Sequence, residues 1–361
     1  MNKTDPEVIR AVLGPRYRIE RDLGEAGAAT AYLAWDGDEN RQVELKVLLP
    51  ELTSAVGAER FRREIATVAK LSHAHILPVY GSGEADGVLY YTTPHLEGET
   101  LRDRLDREGQ LPIDEAVEIA RQVAGALDYA HEHDVVHRDI KPETVLLTAG
   151  GAVVTDFGVA RAIDRAGGER LTETGLLVGT PAYMSPEQAE GGERLDGRSD
   201  QYSLACVLYE MLAGHPPFAG SSDRVVLSRA AKDDVPPLSS ARATVSGPLE
   251  AVIHKALSKT AADRFRRAER FAEALSMAER GATPPGVTPI GVKPPGVTRP
   301  EVRVSHNVWT ELARRRVYQV AVSYLVVAWA LVQVAEATFG PLGVPGWAHR
   351  TLLWSAIGGF P

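Results

Sequence analysis

Residues 137–161 read HRDIKPETVLLTAGGAVVTDFGVAR, and this run decides what kind of fold the chain can build. It sets two acids, Asp139 and Asp156, on either side of a short hairpin, each with its own escort. His137, Arg138 and Lys141 surround the first, and Phe157 and Gly158 follow the second. A loop that ends in an acid beside a lysine, then a strand pair, then Asp-Phe-Gly, carries the parts that phosphoryl transfer from ATP needs. One acid accepts the proton of an attacking hydroxyl, and the other holds a divalent ion on the phosphates. Thr144 stands where this pattern has Asn.

Working outward, Tyr17 to Ala34 (YRIERDLGEAGAATAYLA) alternates around a small-residue turn, which predicts a β-hairpin folded over a ligand. Set against G-x-G-x-x-G, Gly24 takes the first position, Ala26 and Ala29 the other two, and Gly27 lies between them. Glycine in such a turn lets backbone N–H groups approach phosphates with no Cβ in the way. Val43-Glu44-Leu45-Lys46 follows as a strand matching V-A-I-K, with Lys46 in the lysine position. The next helical pattern, ERFRREIATVAKL, puts Phe61, Ile65, Val68 and Leu71 on one side and carries Glu64. His73/His75 and His131/His133 are spaced as pairs, but no further ligands follow at metal-binding spacing. From Glu97 onward the pattern is helical, and RFRRAERFAEALSMAER closes the folded region as an amphipathic helix.

Composition narrows the classes. With 361 residues the chain has room for more than one domain, and 44% hydrophobic content supplies a core. A net charge of -8 disfavours a nucleic-acid partner. The single cysteine, Cys206, lies in the apolar run SLACVLYEML and reads as a buried structural thiol rather than part of a disulfide framework.

These motifs resemble the catalytic core of eukaryotic-like serine/threonine protein kinases, most closely their bacterial members. The resemblance runs from about Tyr17 to Glu279, with HRD followed by DFG 17 residues later. It implies an α+β bilobal fold: a β-rich small lobe at 17–96 after a tail at 1–16, and a mostly helical large lobe at 97–280. It also implies ATP and Mg²⁺ (or Mn²⁺) as cofactors and Ser/Thr of proteins as acceptors. Asp139 would then be the base, Lys141 the partner of the transferring phosphate, and Asp156 the metal ligand with Thr144 in place of Asn. Lys46 paired with Glu64 would hold the α- and β-phosphates under the Gly24–Gly27 turn, with Thr93 beside the adenine and Leu96 offering hinge contacts. Arg138 would grip a phosphate on the activation loop, where Thr172 and Thr174 are the acceptor candidates. Asp200 would brace the catalytic loop, and Arg264 would pair with Glu187. Thr144, Ala26 and Ala29 keep open the alternative of a pseudokinase that binds nucleotide and signals by conformation.

Beyond the core, residues 281–305 read as a Pro/Gly-rich linker, with PPGVT, PIGVK and PPGVT in tandem from Pro284 to Thr298. Such composition predicts an extended polyproline spacer. Residues 306–361 read as a membrane segment. Val317 to Val334 is 18 residues without a charge, preceded by Arg314-Arg315-Arg316, so a span is expected near 317–337 with a truncated second one after it. The expected location is therefore the cell (inner) membrane with the kinase domain in the cytoplasm. Pairing of two kinase domains as a homodimer stays open at this level.

Overall fold

The computed structural model describes residues 6–26, 29–49, 57–158, 180–192 and 195–288. All lie in the first of two units into which the chain divides, Met1–Lys293 and Pro294–Pro361. Gly27, Thr172, Thr174, the later linker residues and the expected span fall outside the described residues. Among the described residues no helix is long and apolar enough to cross a membrane.

Strand β3 (Arg41–Leu48) organises the small lobe through its two-residue period. Val43, Leu45 and Val47 are fully buried on one face, and Glu44 and Lys46 alternate with them on the other. The antiparallel sheet runs β1 (Tyr17–Ala26), β2 (Ala29–Asp36), β3, β5 (Val88–Thr93), β4 (Gly81–Ala85). Helix α1 (Pro6–Leu13) covers the apolar face of this sheet: Ile9 and Leu13, one turn apart, join Val43, Leu45 and Val47 in one cluster. Residues 1–16, expected as a tail, thus hold a docked helix. The i, i+4 spacing of Ile9 and Leu13 behind Pro6 at the first helical position was the available signal. Helix α2 (Ala58–Val68) buries Phe61, Ile65 and Val68, the stripe that its periodicity predicts, and Glu64 is buried beside them.

The large lobe is built around α5 (Gly197–Ala213), buried continuously from Ser199 to Ala213. Its middle, Leu204 to Leu208, is apolar on every side, as a core helix requires, and its buried polar groups, such as Asp200 and Gln201, are hydrogen-bonded. Against it and each other pack α3 (Leu101–Glu108), α4 (Ile113–Glu132), α6 (Asp223–Lys232), α7 (Gly247–Ala256) and α8 (Ala268–Glu279). Helix α3 starts at a capping box in which Thr100 and Asp103 satisfy each other's backbone N–H. Cys206 is fully buried inside α5, and burial pushes its thiol well up. A small sheet, β6 (Glu99–Thr100), β7 (Val145–Thr148) and β8 (Gly151–Val154), brings the two acidic motifs to the cleft side of this lobe.

The spacer begins differently from its expected extended form. Pro284 to Val287 makes a turn closed by Val287 N–H donating to Pro284 O at 3.2 Å, with Gly286 at φ 72°. Pro followed by Gly at these positions is the chemistry of a type II turn. Pro284 and Val287 are buried, and Lys255 Nζ donates to Gly286 O at 2.6 Å, so the first PPGVT repeat belongs to the large lobe.

Candidate active site

The loop from His137 to Lys141 is held by one buried carboxylate. Asp200, fully buried on α5, accepts the backbone N–H of His137 at 2.8 Å and of Arg138 at 2.7 Å, and pairs with His131 Nε2 at 2.7 Å. Burial alone would raise the Asp200 carboxyl, but His131, His137 and the Arg138 N–H hold it below the usual carboxylate range. The two backbone bonds hold a costly conformation at Arg138, φ 71°, and Asp156 sits at φ 63° in the same region, where side chains other than glycine's are crowded. Gln188 Nε2 adds a bond to Arg138 O at 2.8 Å. The His137 ring donates from Nε2 to Thr155 O at 2.8 Å, accepts from Asp139 N at 3.2 Å through Nδ1, and meets Phe157 edge-on at 4.6 Å. One imidazole thus ties the Asp139 loop to the Asp-Phe-Gly turn.

Asp139 and Lys141 face each other across the loop, Oδ2 to Nζ at 2.9 Å, with about a quarter of the Asp139 side chain open to solvent. Thr144, expected as a metal contact, is turned inward. Its hydroxyl accepts Lys141 N–H at 3.1 Å and shares its proton between Lys141 O at 3.0 Å and Asp139 O at 3.1 Å. In this arrangement the hydroxyl shapes the loop that carries Asp139 and Lys141.

Lys46 departs from the expected pairing with Glu64. Its ammonium, 3% exposed, donates to Asp156 Oδ1 at 2.6 Å and lies 3.4 Å from Glu44 Oε1. Burial would lower this lysine, but Asp156 and Glu44 outweigh it and the net direction is upward. Burial would likewise raise Asp156, but Lys46 and the hydroxyl of Tyr91 hold the acid below its ordinary value. The Tyr91 bond, Oη to Asp156 Oδ1 at 2.8 Å, comes from a fully enclosed ring on β5. Gly158 closes the turn at φ 76°, where a Cβ would lie 2.4 Å from Val68 Cγ2, so the turn seats directly on α2. Replacing Tyr91 by Phe keeps the ring and removes one donor to a buried carboxylate. It should lower unfolding free energy by about 1–2 kcal/mol, read from urea denaturation. An unchanged midpoint would show that the hydroxyl contributes nothing there.

At the β1 turn, Gly24 adopts φ 93°, a conformation suited to glycine, and its N–H bonds Asp22 Oδ1 at 2.8 Å. Thr93 is 1% exposed and its hydroxyl is without a hydrogen-bond partner among the described residues, while Leu96 is half-buried in the connection between the lobes. Further down, Arg264 forks onto Glu187 at 2.7 and 2.8 Å from a fully buried side chain, which places that pair where the sequence expects it.

Two residues of this site escape a reading by motif. Tyr91 looks like an ordinary aromatic of an apolar strand. Glu44 lies at the alanine of V-A-I-K, a departure visible in the sequence once the strand's facing is known. For a divalent ion the donor set is one carboxylate: Asp156 is engaged at Oδ1, and among the described residues no group of three acidic, His or Cys side chains could cage a metal. That set fits an ion that takes its remaining ligands from phosphates and water, as Mg²⁺ does.

The family profile for the protein kinase domain matches residues 17–275. The serine/threonine-protein kinase PknB of Mycolicibacterium smegmatis is 39% identical over 278 residues, 75% of this chain and 44% of that protein. The chain therefore spans less than half the length of this curated relative. Among solved structures, the PknI kinase domain of Mycobacterium tuberculosis, a point mutant, aligns with a TM-score of 0.60 and 32% identity over 73% of this chain and 95% of that one. Rad53 in complex with AMP-PNP aligns at 0.58 and 24% identity over 73% and 65%, a likeness of fold alone.

Proposed function

This chain belongs to the protein kinase family, with bacterial serine/threonine kinases among its relatives, and from that premise we propose that it transfers the γ-phosphate of ATP to Ser or Thr hydroxyls of proteins. The observation that carries the reading is two contacts, Lys141 with Asp139 and Lys46 with Asp156, linked by the His137 ring, which bonds both the Asp139 N–H and Thr155 O. Asp139 orients the acceptor hydroxyl and takes its proton as the oxygen–phosphorus bond forms and the bond to the ADP oxygen breaks. Lys141, poised 2.9 Å from that carboxylate, neutralises charge on the transferring group. Lys46 would pair with the α- and β-phosphates, and Asp156 would be the carboxylate that holds the ion. Bound Mg²⁺ supplies charge neutralisation on the phosphates.

The reading extends to self-phosphorylation at Thr172 or Thr174 and to a membrane tether through the apolar run Val317–Val334 behind three arginines. A second reading, a nucleotide-binding module with little turnover, is favoured by the inward-turned Thr144 hydroxyl and by Lys46 engaging Asp156 and Glu44. One experiment addresses these together. The full chain, recovered with membranes after high-salt washing, is incubated with labelled ATP in Mg²⁺ or Mn²⁺ and mapped by mass spectrometry. Label on Thr172 or Thr174 is the expected result. If both metals yield no more label than the Asp139→Asn form, the kinase reading fails. If Thr144→Asn then restores turnover, the second reading is the correct one.

A further inference from the structure

We propose that Glu44 is a determinant of nucleotide affinity in this cleft, its carboxylate competing with the nucleotide's phosphates for the ammonium of Lys46. The inference rests on the kinase reading above and adds a residue to it. Three observations carry it.

The first is facing. Val43, Leu45 and Val47 are fully buried in the small-lobe core, so the strand's period puts Glu44 and Lys46 together on the opposite face. That face is the cleft side, because Lys46 Nζ reaches Asp156 at 2.6 Å. In the strand register Glu44 lies across from Thr93 on β5.

The second is reach. Glu44 Oε1 lies 3.4 Å from Lys46 Nζ, and Oε2 lies 3.6 Å from Nδ1 of His95 in the connection between the lobes. The carboxylate therefore stretches from the phosphate-binding lysine to the segment beside which the base would sit. Its side chain is about one-fifth exposed, at the cleft's edge rather than in its core.

The third is charge. A single ammonium here faces two carboxylates, Glu44 and Asp156, and the hydroxyl of Tyr91 donates to the second of them. Before any nucleotide arrives, this group has more acid than base. An incoming polyphosphate must take Lys46 from both acids, and it meets the extra negative charge of Glu44 in a partly dry cleft where screening is weak. With the alanine of V-A-I-K at this position, Lys46 would have one carboxylate to leave. Glu44 thus weakens ATP and ADP selectively, while a ligand without phosphates does not need Lys46 and is indifferent to the charge.

Titration calorimetry on the full 361-residue chain separates the possibilities. ATP with Mg²⁺ and, separately, adenosine are titrated into the parent, Glu44→Gln and Glu44→Ala. Glutamine keeps the shape and removes the charge; alanine removes both. The expected result is that each variant binds ATP about tenfold more tightly than the parent, a difference of about 1.4 kcal/mol. Adenosine should change by less than about twofold in Glu44→Gln, since only the charge has been altered. A parent that binds ATP, with a glutamine variant that binds it no more tightly, overturns the role of Glu44 and leaves the kinase reading standing. An equal gain for adenosine and ATP in Glu44→Gln also overturns it, because the charge would then not act through the phosphates. If the parent and both variants bind no nucleotide at all, the kinase reading itself falls and this inference with it.

Discussion

With Asp139 in the role of base proposed above, changing it to Asn should lower kcat for phosphate transfer by about 10²–10⁴-fold, the usual scale for a positioned general base. The substitution is close to isosteric, so the loop should keep its shape. The bonds that define it come from Asp200 to the His137 and Arg138 N–H groups and from Thr144 to Lys141, and none involves the Asp139 carboxylate. What is lost is the capacity to take a proton. A second consequence follows from the contact between Asp139 Oδ2 and Lys141 Nζ at 2.9 Å. Without the carboxylate, Lys141 is a buried ammonium with a weaker partner, and a bound triphosphate gains by pairing with it. The Michaelis constant for ATP should therefore stay the same or fall while kcat collapses, a split that a merely unfolded variant does not produce. Steady-state kinetics on both forms check this. A variant that keeps more than a tenth of the parent's kcat would remove Asp139 from the role of base.

Truncating Arg264 to Ala should produce the largest stability loss of the single changes considered. The guanidinium is fully buried and forks onto Glu187 at 2.7 and 2.8 Å. It also donates to Ser258 O at 2.9 Å, Arg198 O at 2.8 Å and Lys259 O at 3.2 Å. Its removal leaves Glu187 facing a cavity and takes a donor from each of three carbonyls. Breaking a buried pair in this way costs about 3–5 kcal/mol. For a domain of this size that corresponds to a fall in Tm of about 6–20 °C. Scanning calorimetry reads it directly, and a loss under about 2 °C would contradict the assigned weight of the pair.

The same pair sets a pH dependence. Burial would raise the Glu187 carboxyl, but the Arg264 fork outweighs it and holds the acid below its ordinary value. A carboxyl depressed in the folded state contributes stability that is fully present above its unfolded pKa, near 4.3. That contribution is lost as pH falls from there through the lower folded value. The parent should lose Tm more steeply below about pH 4 than Glu187→Gln does, with the two curves parallel above pH 6.

Much of the molecule is readable from its residues. The alternation of Val43, Leu45 and Val47 specified a strand with one buried face, and the stripe Phe61, Ile65, Val68 specified the helix behind it. Helix α1 was also legible in Ile9 and Leu13, but a two-residue stripe is a thin signal until the sheet face it covers is known. The PPGVT segment misled for a related reason. Its composition favours an extended chain, yet Pro-Gly also fits a tight turn, and a pocket for Val287 tips the balance.

By itself the sequence determined the order of the elements, the two acidic motifs and their neighbours, because those depend on spacing along one strand, loop or helix. Only the tertiary structure decided who pairs with whom in the cleft. Lys46 was expected to take Glu64 and instead takes Asp156 and Glu44, and Tyr91 joins from β5. The physical reason is competition. A buried ammonium goes to whichever carboxylates the fold delivers within about 4 Å with the least loss of solvation. That outcome depends on how separate elements meet, with Lys46 and Asp156 lying 110 residues apart in the chain. Thr144 makes the same point at short range: its sequence position offered a metal ligand, and the fold of its own loop used the hydroxyl to bind backbone.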